Sequence, residues 1–87
     1  MRVYIFGNVQ GIMFRKHIEE QANKLGLKGY VRNKEDGSVE AWFEGNGKEV
    51  NDMVSKCKEG PKHAVIQRLD IVDEKVQDMK GFKILRI

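Results

Sequence analysis

The sequence predicts an α+β fold in which two helices pack on one face of a mainly antiparallel sheet. Three observations support this prediction. Apolar patterns typical of strands and of helices alternate along the chain in the order β-α-β-β-α-β. An Asp36-Gly37 pair between two strand patterns indicates a tight hairpin, and therefore two antiparallel neighbours. The 87 residues, 40% of them hydrophobic, have room for one modest core, so we expect a single domain over residues 1–87.

The first half of the chain predicts three strands and one helix. Residues 2–7 predict a strand because β-branched and aromatic side chains follow one another there. Residues 14–25 repeat apolar side chains at helical spacing, and Gly26 is a residue type that commonly follows the end of a helix. Residues 27–33 and 38–44 predict the two strands of the hairpin.

The second half predicts one more helix and two further strands. Residues 48–58 carry apolar side chains at helical spacing, and the Gly60-Pro61 pair ends that pattern. Residues 64–72 form an apolar strand pattern, residues 73–80 are polar and predict a loop, and residues 82–87 predict a short final strand. This order is the ferredoxin-like split β-α-β plan with one trailing strand. Since that plan supports many unrelated activities, the function must be argued from a site.

The loop between the first strand and the first helix is a candidate anion-binding site. Gly7 and Gly11 bracket it and allow consecutive backbone N–H groups to converge on one ligand. The start of the helix adds unpaired amides, and Arg15 offers a planar set of donors that matches a phosphate group. A simpler interpretation is that the glycines serve only the turn and that Arg15 lies on the surface. The residues alone leave both interpretations open.

Composition excludes several other classes of site. Cys57 is the single cysteine, which excludes an intramolecular disulfide and is typical of a cytosolic protein, and its spacing predicts a buried helical position. His17 and His63 are widely separated, so we expect no metal. The net charge of +3 is spread along the chain and does not predict nucleic-acid binding. No apolar run is long enough to cross a membrane, and the first residues show no signal-peptide pattern, so we expect a cytoplasmic protein.

Two stretches together resemble the signatures of the acylphosphatase family. The run Ile5-Phe6-Gly7-Asn8-Val9-Gln10-Gly11-Ile12-Met13-Phe14-Arg15 is similar to that family's phosphate-loop motif, with Ile12 at a position where valine is usual. The run Gly29-Tyr30-Val31-Arg32-Asn33, followed by Gly37, Val39 and Gly45, is similar to its second motif. The likeness extends over essentially the whole chain, which implies a complete small enzyme.

The resemblance implies hydrolysis of the carboxyl-phosphate bond of acyl phosphates, without metal or cofactor, by a monomer. Arg15 matches the family's phosphate-binding arginine and Asn33 its water-positioning asparagine. The phosphate loop would bind the phosphoryl oxygens through the backbone amides of Asn8, Val9, Gln10, Gly11, Ile12, Met13 and Phe14. We expect the side chain of Gln10 to stabilise this loop, and we expect Arg32, next to Asn33 in a strand, to point to the opposite face.

Two other functions remain open at this point. One is a non-catalytic accessory domain that binds phosphate or carbamoyl phosphate as part of a larger protein assembly. The other is an RNA-binding module, which is disfavoured because residues 38–44 carry two acids and no lysine or arginine where such modules carry a basic and aromatic strand. Within that strand, Trp42 and Phe43 are expected to face opposite sides of the sheet.

Overall fold

A computed structural model of the protein describes residues 1–86. Its elements are β1 (Arg2–Asn8), α1 (Ile12–Lys24), β2 (Lys28–Asn33), β3 (Val39–Glu44), α2 (Gly47–Glu59), β4 (Val65–Val72) and β5 (Phe82–Ile84). This is the predicted order of elements, including the short strand after the split β-α-β unit. The predicted final strand extended to Ile87, which lies outside the described residues, whereas β5 ends at Ile84.

The five strands form one sheet in the order β4-β1-β3-β2-β5. β1 pairs antiparallel with β3 and β4, and β2 pairs antiparallel with β3. β5 pairs with β2 in parallel, so the mainly antiparallel sheet has one parallel pair at its edge. The predicted hairpin therefore joins β2 to β3, and the final strand β5 lies beside β2 at the edge of the sheet.

The core lies between the helices and one face of the sheet. Strand residues alternate, so Val3 and Ile5 of β1 are fully buried against the helices. The two helices add a stripe of apolar side chains to the same cluster: Phe14, Ile18, Ala22, Val50, Met53, Val54 and Cys57. Within residues 1–86, neither helix has the length and apolarity that crossing a bilayer requires.

Trp42 and Phe43 face opposite sides of the sheet, as predicted. Phe43 lies in the core and stacks on Phe82 of β5, with ring centroids 5.7 Å apart. Trp42 is buried on the other face, where its Nε1 donates a hydrogen bond to Glu44 at 2.8 Å. Glu44 also accepts hydrogen bonds from backbone amides of the loop between β4 and β5, so this loop lies against the face that carries no helix.

Both helices begin earlier than the apolar spacing predicts. α1 begins at Ile12 instead of Phe14, and α2 begins at Gly47 instead of Lys48 and ends one residue later, at Glu59. First-turn residues are partly exposed and carry no periodic apolar signal, so helical spacing detects only the residues that pack on the core. Ile12 to Phe14 therefore form the first turn of α1 and not the last part of a loop.

Candidate active site

The turn after β1 depends on Gly7. The pairing of β1 with β4 shifts register between Phe6 and Gly7, and Gly7 has a φ of 141°. A Cβ at this position would lie 2.0 Å from the carbonyl oxygen of Val65. Only glycine tolerates both this φ and this approach. The close contact between Gly7 and β4 therefore fixes the position of the register shift, where the chain bends toward α1.

Two neighbouring residues anchor the loop that follows. Val9 is 1% exposed and belongs to the core. Gln10 reaches across to the hairpin, where its Nε2 donates hydrogen bonds to the carbonyl oxygens of Lys34 at 2.7 Å and Ser38 at 3.1 Å. This confirms the prediction that the Gln10 side chain stabilises the loop, and it ties the loop to the residue that follows Asn33.

The loop ends at an open helix terminus. Gly11, with φ 125° and ψ 156°, precedes α1 and makes no side-chain capping hydrogen bond, and no acidic residue lies in the first turn. The N–H of Arg15 makes the first helical bond, to the carbonyl of Gly11 at 3.4 Å. The N–H groups of Ile12, Met13 and Phe14 therefore have no acceptor within the helix and lie at the positive end of its dipole.

Arg15 and Asn33 meet in one open cavity of about 420 Å³. It is lined by Ile12, Arg15, Asn33, Leu85 and Arg86. Among the described residues, buried Arg15 Nε and buried Asn33 Oδ1 have no hydrogen-bond partner. The one other such atom, Arg2 Nε, lies 3.1 Å from a Glu74 carboxylate oxygen, so it has an ionic partner. Two residues that line the cavity thus have hydrogen-bonding capacity left over, a donor on Arg15 and an acceptor on Asn33, and these are the groups that an oxyanion and a water need.

The β2–β3 hairpin fixes the position of Asn33. Asp36 accepts hydrogen bonds from the backbone N–H and the hydroxyl of Ser38, which closes the turn beyond β2. Along the strand, Arg32 points to the opposite face, as predicted, and its Nη2 lies 2.8 Å from Glu40 Oε1. Arg32 is therefore held away from the cavity that Asn33 enters.

Sequence reasoning did not identify Leu85 and Arg86 as residues of this cavity. The parallel register pairs Val31 with Ile84, and the N–H of Leu85 then bonds the carbonyl of Val31 at 2.9 Å. Arg86 comes next in the chain and lines the same cavity as Asn33. The available signal was the trailing strand itself, because a strand that pairs in parallel with β2 directs the following residues toward the end of β2.

The two faces of the sheet near β2 differ in acidic side chains. Within residues 1–86, the cavity is lined by two arginines and no acidic side chain. The acid nearest in register, Glu40, lies on the other face, where Tyr30 donates to it at 2.5 Å and Arg32 at 2.8 Å. Burial alone would raise the pKa of Glu40, but these donors outweigh burial and lower it. Burial and the neighbouring Glu40 raise the pKa of Tyr30 to about 12.

The side chains of the predicted loop residues do not all face this cavity. Ile12 lines it, whereas Val9 lies in the core. Four others line a second cavity of about 690 Å³: Asn8, Gln10, Met13 and Phe14. His17 and His63 also line the second cavity, apart from Arg15 and Asn33. The roles expected of the loop residues belong to their backbone amides. The positions of the side chains do not test those roles.

Comparison with known proteins identifies the family. The acylphosphatase family model matches residues 1–84. The acylphosphatase of Syntrophus aciditrophicus is 41% identical over 86 residues, an overlap that covers 98% of this chain and 90% of the relative.

Solved structures agree with this result. The crystal structure of acylphosphatase from Bacillus subtilis superimposes with a TM-score of 0.92 at 28% identity and covers 98% of this chain and 96% of that one. Full-length HypF superimposes with a TM-score of 0.81 at 32% identity, but this chain matches only 11% of its length. The loop and its arginine, the hairpin asparagine, the fold and these comparisons agree, and the chain belongs to the acylphosphatase family.

Proposed function

We propose that this protein hydrolyses the carboxyl-phosphate bond of small acyl phosphates, with Arg15 and Asn33 as the catalytic residues. The products are a carboxylate and inorganic phosphate. The observation that carries the proposal is that Arg15 and Asn33 line one cavity and that each has a buried polar atom, the donor Nε of Arg15 and the acceptor Oδ1 of Asn33, without a hydrogen-bond partner among residues 1–86. Family membership supports the reaction, and this pair supports the roles of the two residues.

Arg15 and the loop amides bind the phosphoryl group. The guanidinium presents parallel N–H donors that match two phosphoryl oxygens. The backbone N–H groups of Asn8 to Phe14 surround the remaining oxygens, and the open start of α1 favours negative charge there. Since phosphoryl transfer spreads negative charge over these oxygens, the same donors stabilise the transition state.

Asn33 positions the attacking water. Its Oδ1 accepts a hydrogen bond from the water, which aligns a lone pair with the phosphorus atom. As the new P–O bond forms, the bond between phosphorus and the bridging oxygen breaks, and that oxygen leaves with the electron pair as a carboxylate. One proton of the water passes to a phosphoryl oxygen, which gives inorganic phosphate. No protein base is required in this scheme.

The leaving group makes a general acid unnecessary. A carboxylate has a conjugate acid with a pKa near ~4, as for a glutamate side chain, so it departs without protonation. Positioning and charge stabilisation then account for the catalysis, and we propose that neither a metal nor a cofactor takes part. Turnover is expected to persist in excess chelator.

The test is steady-state hydrolysis of benzoyl phosphate with excess chelator. We expect Arg15→Ala to raise KM and to lower kcat, because it removes phosphate binding as well as transition-state stabilisation. We expect Asn33→Ala mainly to lower kcat. Lys16→Ala and Asn23→Ala, at exposed positions of α1, are the matched controls and should retain wild-type turnover. Normal kcat in folded Asn33→Ala would reject the water-positioning role.

A second candidate function is an accessory domain that binds phosphate or carbamoyl phosphate without turning it over. The similarity to one part of full-length HypF favours it, because that part occupies 11% of a longer chain. A folded wild-type protein that binds inorganic phosphate but does not hydrolyse benzoyl phosphate would support this candidate and reject the enzymatic one.

We also propose that residues 1–87 act as one catalytic domain, as a monomer in the cytoplasm and without nucleic acid. The 90% coverage of the Syntrophus relative supports the single domain. The single cysteine, buried in α2, supports a reducing compartment. Light scattering tests the monomer, and salt-dependent binding of single-stranded RNA, if observed, would contradict the exclusion of nucleic acid.

A further inference from the structure

The catalytic cavity has room for more than the phosphoryl group. Its volume of about 420 Å³ lies within the range of ~300–1,000 Å³ that is typical of small-molecule pockets. Arg15, Asn33 and the start of α1 account for the phosphoryl group and the water. Leu85, Arg86 and the side chain of Ile12 line the remainder, so these three residues are available to the acyl group.

Two of these residues offer apolar contact. Ile12 is 39% exposed and Leu85 is 38% exposed, and both are large hydrophobic side chains at the cavity. They belong to different elements, since Ile12 begins α1 and Leu85 follows β5. The backbone bond from Leu85 N–H to Val31 O holds the second of them against β2. A carbon chain or ring joined to the phosphoryl group could pack between these two side chains.

The third residue, Arg86, is the second arginine that lines the cavity. One arginine is sufficient for the phosphoryl group, and among residues 1–86 the cavity presents no acidic side chain that would pair with the other. A guanidinium is suited to bind a carboxylate or a phosphate through parallel hydrogen bonds. The cavity therefore provides, in addition to the phosphoryl site, an apolar surface and a second cation.

We propose that Arg86 selects acyl phosphates whose acyl group carries a second anionic group, with Ile12 and Leu85 packing on the carbon atoms between the two charges. The inference rests on the proposed function, because it takes Arg15 and Asn33 as the site of the reacting phosphoryl group. Arg86 is here a specificity residue and touches the part of the substrate that does not react. The second group is a carboxylate or a phosphate monoester.

The test compares rigid acyl phosphates that cannot cyclise. The probes are 3- and 4-carboxybenzoyl phosphate, the methyl ester of each, and 4-phosphonooxybenzoyl phosphate. In the wild type, we expect the better-fitting carboxylate to exceed its ester in kcat/KM by about two- to five-fold, the range of a partly exposed ion pair. The phosphonooxy compound shows whether a phosphate monoester is the preferred second group.

Variants separate recognition of the second charge from intrinsic reactivity, because the ratio of acid to ester is compared between proteins. We expect Arg86→Gln to abolish the preference, Arg86→Glu to reverse it and Arg86→Lys to retain part of it. Lys83→Gln removes the same charge at an exposed position of β5 and should leave the ratio unchanged. Circular dichroism of each variant establishes that it is folded.

Two results would overturn the inference. One is a wild-type ratio that Arg86→Gln does not alter. The other is an equal loss of kcat/KM in Arg86→Gln for all five probes, which would assign Arg86 to the phosphoryl group. Either result is compatible with the proposed function if the wild type hydrolyses benzoyl phosphate. Absence of that turnover would instead reject the proposed function itself.

Discussion

The side-chain amide of Gln10 donates a hydrogen bond to the carbonyl oxygen of Lys34 at 2.7 Å, and Lys34 directly follows Asn33. A second bond from the same nitrogen reaches Ser38 at 3.1 Å, across the hairpin turn. The loop between β1 and α1, which we propose binds phosphate, and the residue proposed to position water are thus joined by one side chain. We expect the relative position of Arg15 and Asn33 to depend on this connection, although Gln10 itself does not line their cavity.

We expect Gln10→Ala to lower kcat by about tenfold or more, since small displacements of reacting groups have large effects on rate. The free energy of unfolding should fall by only about 1 kcal/mol, because the hydrogen bonds are partly exposed. Gln10→Glu should be at least as damaging, because a carboxylate cannot donate to two carbonyls. Steady-state kinetics and urea unfolding measure the two effects. Gln67→Ala, at an exposed position of β4, is the control, and a kcat loss of the same size there would contradict the interpretation.

We expect the two loop glycines to respond differently to substitution by alanine. At Gly11 a Cβ meets no atom within 4 Å, so Gly11→Ala suffers only from its φ of 125°, at a cost of about 1–3 kcal/mol. At Gly7 a Cβ would also lie 2.0 Å from the backbone oxygen of Val65, so Gly7→Ala must separate β1 from β4 locally.

Thermal unfolding and benzoyl phosphate hydrolysis distinguish the two glycine variants. Gly11→Ala should remain folded with reduced turnover, whereas Gly7→Ala should lose more stability than Gly11→Ala. Equal melting temperatures for the two variants would show that contact with β4 does not fix the turn.

We expect Glu44 to make the free energy of unfolding decrease as the pH is lowered into the acidic range. Burial alone would raise the pKa of its carboxyl, but hydrogen bonds from Trp42, Gln77 and Met79 outweigh burial and hold the pKa below its ordinary value of 4.5. A lowered pKa means that the unfolded chain takes up the proton first. The stabilisation is therefore present above about pH 4.5 and is lost as the pH falls through the folded-state pKa.

Glu44→Gln tests this dependence. At neutral pH we expect it to lower the free energy of unfolding by about 1–2 kcal/mol, because a charged acceptor of several hydrogen bonds is replaced by a neutral one. Below pH 4.5 the difference in the free energy of unfolding between Glu44→Gln and the wild type should become smaller. Urea unfolding between pH 3 and 7 measures this, with Glu59→Gln at the exposed end of α2 as the control. A constant difference across this range would contradict the assignment.

Cys57 should be unreactive in the folded protein. Its side chain is fully buried, and burial raises the pKa of the thiol to about 12 from an ordinary value of 9.0. We expect a thiol reagent to modify Cys57 only as fast as the protein unfolds, so the rate should rise with urea in parallel with unfolding. Because the unfolded thiol ionises first, stability should also fall as the pH rises above 9. Rapid modification without denaturant would show that α2 opens locally.

Much of the fold could be predicted because the strands and helices have distinct apolar periods. The alternation of Val3 and Ile5 on β1 and the hairpin turn at Asp36-Gly37 both correspond to features of the structure. The start of α1 was placed two residues late, since Ile12 is exposed at the cavity and contributes no core signal. Local periodicity detects burial against the core and does not detect a first turn that faces an open cavity.

The site was less accessible to sequence reasoning than the fold. The two motifs that resemble the family signatures contain Arg15 and Asn33, and in the structure both residues line one cavity. Arg86 was missed because its position depends on a parallel pairing between β2 and β5, which are separated by the rest of the domain. The residues around Arg86 predict a strand, but they do not indicate which strand it pairs with. The motif residues also did not reveal that the side chains of Asn8 and Met13 face a second cavity.

The anchoring of the loop between β1 and α1 has a consequence for the folding pathway. Gln10 bonds residues 24 and 28 positions away, and Gly7 is fixed by contact with Val65 near the far end of the sequence. Such contacts between distant parts of the chain form after the local helices and hairpin, because they require closure of long loops. An intermediate with both helices and the hairpin formed would still be inactive. During refolding, hydrolytic activity should therefore return last, together with the docking of β4 on β1.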